Sequence, residues 1–173
     1  MSMTQVAIFN KAKLPKLKKL ERDIQSIGYD FKVSDSTETI LTQDGIECLI
    51  NGQKTFFETY VDEPKNLIKE SGFIEPDYEN EDTVLSFVWG ANFAAGACIG
   101  LISLALIDNC NAKIYYLDDE IKYTREMLMA DTPQFLDELK KQTKTKSGSE
   151  TKNAESKAES KKGFWSKLKD KLK

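Results

Sequence analysis

A stretch without a single charged residue, Val84 to Ile107, constrains the fold more than any other feature of this sequence. It is longer than the roughly 20 apolar residues that cross a bilayer, and its Gly96 to Gly100 spacing is common where membrane helices pack together. A membrane span is therefore one interpretation. The residues that flank the stretch are acidic, Glu81, Asp82 and Asp108, whereas membrane helices usually carry lysine or arginine at one end.

The same stretch also divides into two parts with different patterns. The run Thr83 to Trp89 is rich in β-branched and aromatic residues, as a buried strand is. Ala91 to Ile107 is an apolar run with many small residues, which would allow a helix to approach a sheet closely. We therefore favour a buried strand followed by an apolar core helix over a membrane span, and we interpret Cys98 as a small core residue.

Two further patterns precede this stretch. Apolar residues at spacings of three and four after Pro15 predict a first helix over Leu17 to Ile27. Farther along, Asn51-Gly52 separates two runs rich in apolar, aromatic and β-branched residues. Asn-Gly supplies the positive φ angles of a tight hairpin turn, so these runs predict a β-hairpin.

The remaining patterns complete a predicted α+β domain. Lys113 to Leu117 reads as a strand, and Asp119 to Met129 reads as a helix whose first turn is acidic, as the helix dipole favours. The predicted fold class is therefore α+β. We expect a single domain whose antiparallel sheet, with its hairpin at Asn51-Gly52, packs on helices that include an apolar central helix.

Charge is distributed unevenly along the chain. Residues 51–136 contain 15 acidic against six basic residues, whereas residues 139–173 contain 12 basic against four acidic residues. Residues 142–162 contain no large apolar side chain and so cannot offset the entropy lost on ordering. These patterns predict a globular domain over residues 1–141, a disordered polar linker over residues 142–162, and a basic amphipathic helix over residues 163–173.

The predicted C-terminal helix has a narrow apolar face with lysines on both sides, a pattern typical of helices that bind anionic membrane surfaces. The residues predicted to bind the membrane are Phe164, Trp165, Lys167, Leu168, Lys171 and Leu172. The stretch Lys161 to Leu168 resembles the C-terminal membrane-targeting tail of division-site ATPases of the MinD family. That resemblance concerns the tail alone, and docking of the tail on the acidic domain remains an open alternative.

A second resemblance concerns the domain. The run Leu85 to Gly90, the alanine-rich helix after it and the strand that leads into Asp118 and Asp119 resemble a group of small bacterial α+β proteins of uncharacterised function. A segment similar to Asn51 through Tyr60 precedes these elements in that group. The resemblance extends from about Leu17 to Leu128, and it implies the fold class without implying an active site.

Catalytic patterns are absent from the sequence. Without a histidine the chain cannot form Ser-His-Asp or Cys-His sites, imidazole bases or HExxH metal sites. Gly90, Gly96 and Gly100 fit neither the dinucleotide-binding pattern nor the P-loop. We therefore predict a protein that is not an enzyme, with no catalytic, cofactor-binding or metal-binding residues and no cofactor.

The expected compartment is the cytoplasm, with attachment at the inner membrane through the tail as an addition. Cys48, Cys98 and Cys110 show no disulfide or metal spacing, which suits a reducing environment. The first twenty residues mix five lysines with isolated apolar residues and form no apolar signal segment.

An acidic loop, Glu75 to Asp82, is the strongest candidate for a binding site. Clustered carboxylates steer basic partners by long-range attraction. The residues predicted to bind a partner are Glu75, Asp77, Glu79, Glu81 and Asp82. The first hypothesis is an acidic immunity or antitoxin-type protein that sequesters a protein partner such as a basic toxin. The alternative is a peripheral-membrane adaptor tethered by its C-terminal helix. No nucleic-acid partner is expected.

Overall fold

The computed structural model describes residues 1–69 and 71–147, and it confirms the α+β class. The chain divides into two compact units, Met1–Lys140 and Lys141–Lys173, and the sheet belongs to the first. The helices are α1 (Leu17–Ser26), α2 (Pro64–Ile68), α3 (Phe93–Cys110) and α4 (Arg125–Ser147). The strands are β1 (Met3–Phe9), β2 (Phe31–Val33), β3 (Ile46–Ile50), β4 (Gln53–Asp62), β5 (Thr83–Trp89), β6 (Lys113–Tyr116) and β7 (Ile121–Tyr123). They form one antiparallel sheet in the order β2-β3-β4-β5-β1-β6-β7.

Strand β1 lies inside the sheet, between β5 and β6. This strand was not predicted, because the lysines that follow Phe9 mask the short apolar run when the whole N-terminal segment is considered together. Every residue of β1 except Thr4 is buried. A strand that is covered on both faces needs a nearly continuous apolar sequence rather than an alternating one, and Val6 to Phe9 has that character.

The hairpin at Asn51-Gly52 is confirmed. Asn51 has φ 49° and Gly52 has φ 78°, so both turn residues adopt the positive φ angles of a tight two-residue turn. Ile50 pairs with Gln53 across the turn, and the register continues to Ile46 opposite Phe57.

The uncharged stretch forms strand β5 and the core helix α3, as predicted. Asn92 starts α3 by accepting hydrogen bonds from the backbone N–H groups of Ala94 and Ala95. Inside the core, Gln5 Nε2 of β1 donates to Ser103 Oγ of α3 over 2.7 Å, which places α3 against the centre of the sheet. Among the described residues α3 is the one helix long and apolar enough to cross a membrane, and 78% of its 18-residue window is buried within the protein.

The helix predicted over Asp119 to Met129 is wrong at its start. A turn follows β6, strand β7 runs from Ile121 to Tyr123, and α4 begins only at Arg125. The acidic residues before β7 lie in that turn, where Glu120 has φ 53°, and Asp118 accepts a hydrogen bond from Thr4 N rather than capping a helix. Thr124 caps α4 instead, because its hydroxyl accepts from the backbone N–H of Met127.

Helix α4 also continues past the predicted domain boundary after residue 141, as far as Ser147. Residues 142–147 are therefore helical, although we assigned them to a disordered linker. Lysine and glutamine are good helix formers, and an existing helix gains one hydrogen bond for each residue added, so it does not need apolar residues to continue. The remaining linker, residues 148–162, and the predicted C-terminal helix, residues 163–173, lie outside the described residues.

Candidate functional site

The two sides of the sheet are covered differently. Helix α3 lies on one side, and α1 packs against both α3 and β2. On the other side, the segment that follows β4 covers part of the sheet. Its apolar residues Leu67, Phe73 and Ile74 pack with the outward residues of β1, β5 and β6, which are Val6, Ile8, Val84 and Tyr115. The acidic loop therefore starts from a fixed base, since Phe73 also stacks edge-on against Tyr115 at 5.7 Å between ring centroids.

Lys113 of β6 contacts the acidic loop at two points. Its Nζ lies 3.0 Å from Glu81 Oε1 and donates to the backbone carbonyl of Glu75 over 3.2 Å. The Glu81 side chain is only 8% exposed, and its Oε2 accepts from the backbone N–H of Asp77 over 2.7 Å. Both carboxylate oxygens of Glu81, which we predicted to bind a partner, therefore make contacts within the protein that hold the loop in shape.

Asp82 anchors the end of the loop. Its Oδ1 accepts from the backbone N–H of Lys11 and from the Thr83 hydroxyl, both over 2.8 Å. Its own backbone N–H donates to the carbonyl of Phe9. The Lys11 N–H group, followed by the Thr83 hydroxyl, holds the pKa of Asp82 below its usual range. Asp82 therefore ties the loop to the end of β1.

Asp77 closes a turn inside the loop. Its Oδ2 accepts from Asn80 Nδ2 over 2.6 Å and its Oδ1 accepts from the backbone N–H of Glu79 over 3.2 Å. The hydrogen bond from Asn80 is the main cause that lowers the pKa of Asp77. A side chain that bonds the backbone two residues ahead is a typical turn-forming device of aspartate. The middle of the loop is therefore held by its own hydrogen bonds.

The residues left to face outward are Glu75, Tyr78 and Glu79. Tyr78 is 61% exposed, which is more than any other large hydrophobic residue of the described chain except Met1. Tyr78 was not among the predicted binding residues. A tyrosine between carboxylates in a polar loop is nevertheless a recognisable signal, because tyrosine is enriched at binding hot spots. Carboxylates around an exposed ring suit the ammonium and guanidinium groups of a basic partner.

A second exposed surface lies on the same side of the sheet, on strand β4. Phe56 is 54% exposed and Tyr60 is 46% exposed, with exposed Glu58 between them. These residues were not among the predicted binding residues, although the adjacent Phe56 and Phe57 indicate that one aromatic ring is exposed. Neighbouring side chains of a strand point to opposite faces, so one ring of the pair must lie away from the helix-covered core.

Strand addition at the β2 edge is blocked by helix α1. Glu21 Oε1 accepts from the backbone N–H of Val33, and Gln25 Nε2 donates to the carbonyl of Phe31, both over 2.9 Å. An edge strand exposes unpaired N–H and C=O groups that attract another chain. Because α1 occupies two of these groups with side chains, binding through this edge is disfavoured.

The described residues also include an open cleft and three cysteines. No group of His, Cys, Asp and Glu in the described part of the chain could hold a metal ion. An open cleft of about 410 Å³ lies between the ends of β4 and β5. Its lining is Lys11, Val61, Asp62, Glu63, Lys65, Asn66, Asp82 and Thr83. The three cysteine thiols are free and buried, and the hydrogen bond with Cys48, together with burial, raises the pKa of the Cys98 thiol.

Comparison with protein-family models, with curated proteins and with solved structures finds no match to this chain. The residues predicted to bind a membrane, Phe164, Trp165, Lys167, Leu168, Lys171 and Leu172, lie outside the described residues. Among the described residues, the acidic loop is the strongest candidate site, because it places exposed carboxylates around the exposed Tyr78.

Proposed function

We propose that this chain is a non-enzymatic, cytoplasmic binding protein of the immunity or antitoxin type, which sequesters a basic protein partner through its acidic loop. The observation that carries the proposal is that some acidic residues of the loop stabilise its conformation while others are exposed to solvent. Asp77, Glu81 and Asp82 are used to hold its shape, while Glu75, Tyr78 and Glu79 face solvent.

A loop that is already held in one shape loses less conformational entropy when it binds, so more of the contact energy appears as affinity. The excess of acidic residues over 51–136 adds long-range attraction for a positively charged partner. Tyr78 supplies a rigid ring that can be buried at the centre of such an interface. These three features together suit a tight and fast-associating inhibitor of a basic protein.

The experiment that tests the proposal is affinity purification of the tagged full chain from its native cells, followed by identification and purification of the captured protein. We expect a basic protein in a stoichiometric complex. The double variant Glu75→Lys/Glu79→Lys should lose this partner, and Tyr78→Ala should weaken the complex by about 2 kcal/mol or more, because the exposed ring becomes buried at the interface. The matched control is Glu38→Lys, which reverses an exposed charge outside the loop.

The salt dependence of association gives a second measurement. The association rate of the wild-type complex should fall as salt is added, because salt screens the attraction, and the double variant should associate more slowly and show a weaker salt dependence. Retention of the same partner by Glu75→Lys/Glu79→Lys with an unchanged rate would remove the acidic loop from the interface and contradict the proposal.

A second candidate function is a peripheral-membrane adaptor, and the observation that favours it is the amphipathic sequence of residues 163–173. Its test uses Trp165 fluorescence in a Trp89→Phe background, so that one indole reports. A blue shift with anionic vesicles, weakened by salt and absent with neutral vesicles, is the expected result. A blue shift already present in buffer would mean that the tail is docked on protein, and the adaptor function would then be dropped.

A further inference from the structure

Three side chains on β4 form a row on the exposed part of the sheet, which we name the Phe56–Glu58–Tyr60 row. The alternation of β4 directs Thr55, Phe57 and Thr59 into the core and leaves the row outside. Residues two apart on a strand are separated by about 7 Å. The row therefore offers a ring, a carboxylate and a second ring along one straight line.

Gly45 fixes the position of the Phe56 ring. A Cβ atom added to Gly45 would clash with Phe56 Cζ, so the ring lies directly over the glycine. Gly45 has φ +113°, a conformation that other residues rarely adopt. The row thus begins with an aromatic ring that is supported from below and still 54% exposed.

Tyr60 orients the carboxylate at the centre of the row. Its Oη donates to Glu58 Oε2 over 2.7 Å. This hydrogen bond is also the main cause that raises the pKa of Tyr60 above its ordinary value of 10.0. The phenol is protonated at neutral pH in any case, and it can therefore donate to Glu58. Because only Oε2 takes part in this hydrogen bond, Oε1 of Glu58 can accept from another group.

The charges around the row are complementary to a cation. Both lysines on this side of β2, β3 and β4 already have acidic neighbours, since Lys32 Nζ lies 3.0 Å from Asp35 and Lys54 Nζ lies 3.5 Å from Glu47. Glu58 is not in an ion pair within the described residues, so the carboxylate of the row is not neutralised by a neighbouring lysine.

We propose that the Phe56–Glu58–Tyr60 row binds an arginine side chain in an extended segment of the basic partner. The guanidinium group stacks on the Phe56 ring and donates in its plane to Glu58. Arginine suits this site better than lysine, because a planar group can stack and bond at the same time whereas an ammonium acts as a point charge. This inference rests on the proposed function only in taking the partner to be basic.

The test uses the full chain and two synthetic probes of equal length, an arginine–glycine repeat peptide and a lysine–glycine repeat peptide. Backbone amide signals are followed by NMR during titration. We expect the arginine peptide to shift the signals of β4 and to bind about two- to fivefold more tightly than the lysine peptide. Glu58→Gln and Phe56→Ala should each weaken arginine-peptide binding by about two- to fivefold.

The controls separate the row from the acidic loop and from folding. Glu38→Gln removes an exposed carboxylate elsewhere and should leave binding at β4 unchanged. Glu58→Gln preserves the side-chain shape, so it remains informative if Phe56→Ala unfolds the protein. Glu75→Lys/Glu79→Lys should keep the β4 shifts, because the row does not depend on the loop.

Three outcomes would overturn the inference. The first is no shift of β4 signals with the arginine peptide, and the second is equal weakening by Glu38→Gln and Glu58→Gln. The third is a dimer in sedimentation that Phe56→Ala dissociates, because the row would then serve self-association. All three leave the proposed function standing, since that function depends on the acidic loop and is tested with the native partner.

Discussion

The two sides of the sheet differ in what covers them and in what their residues are used for. On one side, α3 presents an almost wholly buried surface to the strands. On the other, a short helix and a loop cover β1, β5 and β6, and the surface beside them leaves Phe56 and Tyr60 exposed. The first side should therefore carry most of the stability, and the second should carry the binding surfaces at little cost to the fold.

The largest expected effect is the loss of a buried leucine from α3. Leu101→Ala should lower the free energy of unfolding by about 2 to 5 kcal/mol, because Leu101 is fully buried and its removal leaves a cavity. Phe56→Ala on the other side should cost about 1 kcal/mol or less. Urea unfolding of both variants checks this contrast. A loss below about 0.5 kcal/mol for Leu101→Ala would contradict its burial.

The next largest effect is expected from a substitution where α3 and α4 approach each other closely. A Cβ added to Gly100 would lie 2.8 Å from Thr132 Oγ1, and that hydroxyl is itself buried and bonded to the carbonyl of Leu128. Gly100→Ala should therefore destabilise the protein by about 1 to 3 kcal/mol, despite the better helix propensity of alanine.

Thermal unfolding measures this effect, and Gly90→Ala is its control, since a Cβ there meets nothing within 4 Å. We expect Gly90→Ala to stay within about 0.5 kcal/mol of wild type. Equal melting temperatures for the two alanine variants would show that the helices do not approach as closely as the structure indicates.

A smaller effect is expected from the ion pair beneath the acidic loop. Lys113→Met leaves the buried Glu81 carboxylate without its cation, and we expect a loss of about 1 to 2 kcal/mol, because the Lys113 side chain is 29% exposed and water partly screens the pair. The double variant Lys113→Met/Glu81→Met should recover part of this loss. If the double variant is less stable than the sum of the single variants predicts, the ion pair is not what holds the loop.

The smallest expected effect is the loss at low pH of the stability that Asp82 contributes. Since the folded-state pKa of Asp82 lies below its ordinary value of 3.8, folding favours the ionised carboxylate. The stability that Asp82 contributes is present above that ordinary value and is lost as the pH falls through the lowered pKa. Asp82→Asn should therefore be less stable than wild type near neutral pH, by less than about 1 kcal/mol because Asp82 is exposed.

Melting temperatures measured from about pH 7 to about pH 2 check this, because the pH range must extend well below the ordinary pKa of Asp82. The curves of wild type and Asp82→Asn should converge at the acid end, whereas Glu38→Gln, in an exposed loop, should follow wild type throughout. A constant gap between the Asp82→Asn curve and the wild-type curve at all pH values would mean that the variant loses packing rather than the hydrogen bonds of the ionised carboxylate.

Local patterns in the sequence were sufficient for several elements. The Asn51-Gly52 turn, strand β5 and the first helix were predicted because each depends on neighbouring residues, whose turn chemistry and periodicity are legible in the chain. The start of α4 was predicted wrongly because a short, partly buried strand and a helical turn have similar composition. Only the pairing of Ile121 to Tyr123 with β6 distinguishes them.

The sequence by itself determined the α+β class, favoured a buried strand and a core helix within Val84 to Ile107 over a membrane span, and indicated the acidic loop as a candidate site, because composition and spacing decide which segments must leave water. The tertiary structure alone decided that β1 lies inside the sheet, that Glu81 is buried in an ion pair with Lys113, and that the Phe56 and Tyr60 side chains are exposed to solvent. These outcomes depend on contacts between residues far apart in the chain. Strand pairing and sheet covering, which no local pattern encodes, set whether each side chain supports the fold or faces a partner.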